Sequence, residues 1–222
     1  MIKPLAVLLI LFAPFVRAQE APKGGPKVRF LAERVPADLG QVMLVAKEIK
    51  SDPFDLPINH LSPPQTPPER TFAVWSVAKN VSLGTVTLPE KGDSFIALLV
   101  PAEKGGYSPV VIASNNPDFK PGDIYFHNHS DKTVMGYVGT SKFVLGPAKG
   151  SMLRPAGPSK DGPFYDVGLG FRDEQGDRPL SMARWPIQQG MRMYVFFFIN
   201  PRSQQIDFRA VDEFVEPEPP KN

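Results

Sequence analysis

Apolar and polar positions alternate most clearly between residues 121 and 147, PGDIYFHNHSDKTVMGYVGTSKFVLGP. Successive side chains of a strand point to opposite faces, so Ile124 and Phe126 share one face while Tyr125, His127 and His129 share the other. Ser130, Asp131 and Lys132 are turn formers, and β-branched and aromatic character returns over 133–138. The pattern predicts a hairpin with the two histidines near its tip.

Upstream, 28–35 and 41–49 are strand candidates separated by PADLG; Val42, Val45 and Ile49 are β-branched, which favours strand over helix in the second. The segment 51–70 holds Pro53, Pro57, Pro63, Pro64, Pro67 and Pro68 and is expected to be an extended, polyproline-like connection. Within it Phe54, Leu56, Ile58 and His60 fall in one alternating phase, which turns His60 inward as a hydrogen-bonded core residue. Strands are then predicted at 71–78, 81–88, 94–100 and 108–113. The run 95–100 is apolar at every position, the mark of a central strand covered on both faces.

Downstream come 143–145, a loose stretch over 146–163, strands at 164–171 and 180–185 around the turn DEQGD, and the strongly hydrophobic MRMYVFFFIN at 191–200. At 206–211, Ile206, Phe208 and Ala210 face in and Asp207 and Arg209 face out, the pattern of an edge strand with one wet face.

Proline strengthens this reading. Of 26 prolines, Pro4 and Pro14 precede residue 19, which leaves 24 in the remaining 204 residues, roughly double the usual share of about 5%. Proline is excluded from helix interiors and central strand positions, so the chain is cut into short pieces joined by turns. The expected fold is all-β, an antiparallel β-sandwich spanning 28–214, built as one large sandwich or as two related β-modules in tandem with a split near 102–108. An internal echo supports the tandem form: LGTVTLPEKG at 83–92 and VGTSKFVLGPAKG at 138–150 each end in a P-x-K-G turn, with Tyr107 and Tyr165 at similar distances afterwards.

The N-terminus changes the picture. Lys3, the apolar run 5–13 and the small-residue site Val16-Arg17-Ala18 make residues 1–18 a secretory signal peptide, followed by a flexible leader over 19–27. The apolar run is shorter than the roughly 20 residues a spanning helix needs, so no transmembrane segment is expected after cleavage. With no cysteine in the chain, a lipoprotein anchor, disulfides and thiolate metal sites are all excluded. The expected location is the periplasm or outside the cell, and the acidic, proline-rich tail 215–222 is expected to be disordered.

Charge removes another class. Lys and Arg total 25 against 23 Asp and Glu, but Lys3 and Arg17 leave with the signal, so the mature balance is 23 minus 23, or zero. With cations scattered singly among acids, nucleic acid is not an expected partner.

The chemistry on offer is thin. Two imidazoles at i and i+2 on one strand face, His127 and His129, can chelate copper or zinc, with Asp131, Met135 or Tyr125 as local third ligands and His60 as a distant one. The bland alternative places both rings on a solvent face near a turn. A blue-copper site needs a cysteine thiolate and is excluded. No G-x-S-x-G elbow and no phosphate loop is present, and acids such as Asp166, Asp173 and Glu174 show no distinguishing spacing. Among the aromatics, Trp75 is expected in the core; Trp185 in ARWPIQQG, with Arg184 stacked on it, and Tyr137 are candidates for sugar stacking.

Signal peptide, short strands, the LP-x-K-G turn and the terminal FRAVDEF strand together resemble uncharacterised exported all-β proteins of bacteria. The resemblance spans much of the mature chain and implies no activity. The functional expectation is a non-enzymatic, exported binding or structural module whose partner is an envelope protein or a glycan. The alternatives are a metal-binding protein using His127 and His129 and a carbohydrate-binding module built around Trp185.

Overall fold

The computed structural model describes residues 24–215. The expected signal peptide, the leader up to residue 23 and the tail from 216 lie outside them. Phe95 to Val100 are buried at every position, and the architecture follows from what covers their two faces.

The first half of the chain supplies β1 (Lys27–Ala32), β2 (Val42–Ala46), β3 (Ile49–Lys50), β4 (Thr71–Ser76), β5 (Val81–Thr87), β6 (Ser94–Pro101) and β7 (Tyr107–Ala113). They form one sheet in the order β3-β2-β4-β5 and a second in the order β1-β6-β7. Val28 and Phe30 of β1 and Phe95, Ala97 and Leu99 of β6 pack on Leu44, Phe72, Val74 and Val86 of the facing sheet.

The second half supplies β8 (Ile124–Asn128), β9 (Thr133–Val138), β10 (Ser141–Leu145), β11 (Gly150–Leu153), β12 (Phe164–Asp173), β13 (Gly176–Pro186), β14 (Met191–Ile199) and β15 (Ile206–Phe214). Its sheets run β10-β9-β12-β13 and β11-β8-β14-β15. Ile124, Phe126, Val195 and Phe197 meet Val134, Phe143, Val167 and Leu169 in a second core.

A third cluster joins the halves. Leu31, Ile96, Leu98 and Ile112 on the back of the first inner sheet pack against Tyr125, Tyr194, Phe196 and Val211 on the back of the second. The molecule is therefore four stacked sheets with β6 and β14 in the two middle layers. This is why both strands are apolar on both faces.

The all-β sandwich expectation holds, with no helix among the described residues. Most pairings are antiparallel, but β1–β6 and β8–β14 are parallel, one in each inner sheet. Residues 102–106 form the tip of the β6–β7 hairpin, whose strands share one sheet; the chain crosses from the first pair of sheets to the second over 114–123.

Three expectations are corrected. The stretch 124–138 is not a hairpin, because β8 pairs with β11 and β14 while β9 pairs with β10 and β12 in the opposite sheet. The turn between them is an arch held by Asn128, whose buried amide donates to the carbonyls of Lys132, Leu145 and Gly146 at 2.8, 3.1 and 3.0 Å. The loose stretch 146–163 contains β11, paired along β8. Finally, the outward face of β15 is largely covered: Val211 and Glu213 are buried toward the first half and Asp207 and Arg209 are half-buried, while Ala210, expected to face in, is exposed.

Candidate functional site

β8 places Ile124 and Phe126 in the second core and leaves Tyr125, His127 and His129 on the opposite face, as the alternation predicts. That face meets the first half of the molecule. His127 is 6% exposed, with its ring edge-on to Phe196 at 6.5 Å between centroids. The backbone N–H of His129 donates to the carbonyl of Phe197 at 2.8 Å, which extends the β8–β14 register by one residue and keeps the two rings on one side.

Across the seam, the residue after β1 answers. Glu33 is 4% exposed, its N–H is held by the carbonyl of Leu99 at 3.0 Å, and its Oε2 accepts from Nδ1 of His129 at 2.6 Å. A buried carboxylate at this distance fixes which ring nitrogen faces it, so Nε2 of His129 is directed away from Glu33. Arg209 closes the cluster, donating to the carbonyl of Ala32 at 3.0 Å with its guanidinium 5.7 Å from the Phe196 ring centre.

Between β8 and the β6–β7 hairpin lies a cavity of about 450 Å³. Val100, Pro101, Ala102 and Val110 form its apolar wall, His127 and His129 its polar one, and Glu103 and Lys104 stand at the hairpin tip. Nδ1 of His127 is buried with no hydrogen-bond partner. Burial, and then the neighbouring His129, push the His127 imidazole below its ordinary value, with Glu33 opposing; the ring is held neutral. Burial likewise lowers the Arg209 guanidinium.

The other proposed ligands are not gathered here. His60 is exposed rather than inward, with Nδ1 2.7 Å from Oδ1 of its neighbour Asn59, because the proline-rich backbone breaks the alternation after Leu56. Asp131 is exposed and Met135 belongs to the outer sheet. Among the described residues no group of three or more His, Asp or Glu side chains is placed to hold a metal ion.

The placement of Trp75 and the stacking partner of Arg184 are also corrected. Trp75 sits on the outer face of β4, its Nε1 donating to Oδ1 of Asn80 at 3.2 Å, while Phe72, Val74 and Ser76 take the inner positions. Trp185 packs against the second core, and Arg184 stacks on Phe164 at 4.5 Å instead.

Sequence reasoning missed Glu33, Arg209 and a second buried cluster at the far end of the seam. There Glu213 accepts from Arg29 at 3.1 Å, from Nε of Arg192 at 3.0 Å and from the Tyr194 hydroxyl at 2.6 Å. Arg192 also donates to the carbonyls of Ser114 and Phe119. Burial, then Glu213, raise the Tyr194 hydroxyl far above the ordinary phenol range. One signal was available: Arg29, Leu31 and Glu33 share the phase opposite Phe30, so a strand apolar in one phase offered charge in the other. No protein-family model matches the chain, and no curated protein sequence matches it.

Proposed function

We propose that the protein is an exported bacterial binding module, not an enzyme, whose ligand seat is the cavity between β8 and the β6–β7 hairpin. The observation that carries this reading is the pairing of an apolar wall with a buried, neutral, partly unpartnered imidazole, His127, in a space of about 450 Å³. Small-molecule seats have this character: volumes of about 300–1,000 Å³, mostly apolar linings and a few placed polar groups. The space suits a small molecule or the terminal unit of a glycan. Export rests on the N-terminal sequence pattern.

Native mass spectrometry of the protein recovered from a bacterial envelope tests the reading. The expected result is a non-covalent adduct that is lost in Ser108→Trp, which fills the cavity from an exposed position on β7. Protein free of any adduct, or an adduct indifferent to Ser108→Trp, would overturn it.

A further inference from the structure

We propose that His127 and His129 hold one divalent transition-metal ion of the copper–zinc class at the polar wall of this cavity, with Glu33 as the positioning residue behind His129. The proposal rests on the reading of the cavity as a binding seat and names its ligand.

The placement of the rings comes first. Both lie on one face of β8 and both line the same cavity. Residues two apart on a strand are separated by about 6.6 Å, and metal–imidazole bonds of about 2.0–2.1 Å let two rings that lean together share one ion. Glu33 sets the second requirement. Metal-bound imidazoles commonly donate their other ring N–H to a carboxylate, which fixes the tautomer and strengthens the ligating nitrogen. The 2.6 Å contact from Nδ1 of His129 to the buried Glu33 is that arrangement, and it leaves Nε2 as the ring nitrogen available to an ion.

His127 supplies the independent observation. It is 94% buried by its 6% exposure, and its Nδ1 has neither a partner nor access to solvent. No side-chain hydrogen bond engages its Nε2, so a buried polar ring is left with its bonding capacity unspent. Nδ1 is closed to solvent, so Nε2 is the nitrogen open to a ligand, and an ion there would complete the bonding position the ring leaves unused. Imidazole nitrogen selects copper, zinc or nickel over magnesium and calcium. Two protein donors leave the other coordination positions open, and the cavity has room there for water or a small exogenous ligand.

The test is a titration of the full mature chain with Cu(II) and, separately, Zn(II). One ion per chain is expected, with a two-nitrogen signature in the Cu(II) electron paramagnetic resonance spectrum. His127→Phe and His129→Gln should each abolish it, whereas His60→Ala should leave it intact. Glu33→Gln should keep the 1:1 stoichiometry but weaken binding by about 10- to 100-fold, a loss that a merely structural contact would not produce selectively. Should a variant misfold, trace Cu(II) added to the wild type gives a second readout, with line broadening confined to the His127 and His129 ring protons. Broadening that starts at His60, or uptake unchanged in both histidine variants, overturns the proposal. No metal uptake together with an organic adduct sensitive to Ser108→Trp overturns the metal alone; neither metal nor adduct overturns the cavity reading with it.

Discussion

The first and second halves of the molecule follow one strand plan. Matching β1 to β8, β2 to β9, β3 to β10, β4 to β12, β5 to β13, β6 to β14 and β7 to β15 turns the order β3-β2-β4-β5 into β10-β9-β12-β13, and β1-β6-β7 into β8-β14-β15. The parallel pair falls in the same place in each. A register shift interrupts β4–β5 in one half and β12–β13 in the other. β1 and β8 start at 27 and 124, and β6 and β14 at 94 and 191, both 97 residues apart. This is the tandem plan the sequence hinted at, but the echoed segments are not equivalent: 83–92 covers β5 and the turn after it, whereas 138–150 covers β10 and its flanking turns.

The halves differ most beside the first inner strand. In the second half β11 runs along β8 as a continuous ladder. In the first, the proline-rich segment takes that place: Val28 exchanges both backbone bonds with Gln65, Ser62 donates to Phe30, and Ala32 donates to Pro57. Pro57, Pro63 and Pro64 have no N–H to give, so the ladder is intermittent. The plan fixes where the chain must run; the residues there decide only whether it is a regular strand.

Cutting the seam should cost most. Glu213→Ala leaves Arg192, 4% exposed at its side chain, without its carboxylate, and a loss of about 3–5 kcal/mol is expected in urea denaturation. A loss below about 1 kcal/mol would mean that the seam contributes little to joining the halves. Phe30→Ala and Phe126→Ala, both fully buried, should each cost about 3–5 kcal/mol. Strongly unequal losses would show that one core carries the other.

Asn128→Ala probes the arch between β8 and β9. It removes the donor to three carbonyls and is expected to cost about 1–3 kcal/mol by the same measurement. The seam histidine gives a smaller, pH-dependent term. His127 titrates near 6.5 when unfolded and below that when folded, facing His129 and Glu33. Between those two values the unfolded state binds more protons, so stability is full above about 6.5 and falls as pH drops through the window. His127→Phe should flatten that part of the stability–pH curve.

Much of this was legible, for identifiable reasons. Alternation in IYFHNH placed the histidines on one face because one side of β8 had to be buried. It could not say what covers the other side. The partners Glu33 and Arg209 lie far from the histidines in sequence, and a charged residue opposite an apolar phase reads as solvated until a second sheet arrives. The arch was mistaken for a hairpin because Ser-Asp-Lys suits either turn. The burial of Asn128, a residue depleted in strands, is what distinguishes them.

The mildest comparison concerns two equivalent turns. Lys47 and Gly139 each open a two-residue loop with φ of 54° and 60°. Left-handed backbone costs a side-chain-bearing residue about 1–2 kcal/mol, while glycine costs entropy. Lys47→Gly should therefore change stability by less than about 1 kcal/mol in thermal denaturation. The reverse change at Gly139 would drive a Cβ into the carbonyl oxygen of Ala156.

The parallel pairs carry a kinetic consequence. β1 cannot acquire its partner β6 until the chain is complete past residue 94, and β8 waits likewise for β14 after 191. Closing such distant contacts is slow, on the order of milliseconds to seconds for β-rich domains. A chain growing from its N-terminus therefore passes through two long intervals in which an apolar strand waits for its parallel partner. Each sandwich is sealed only by its last hairpin.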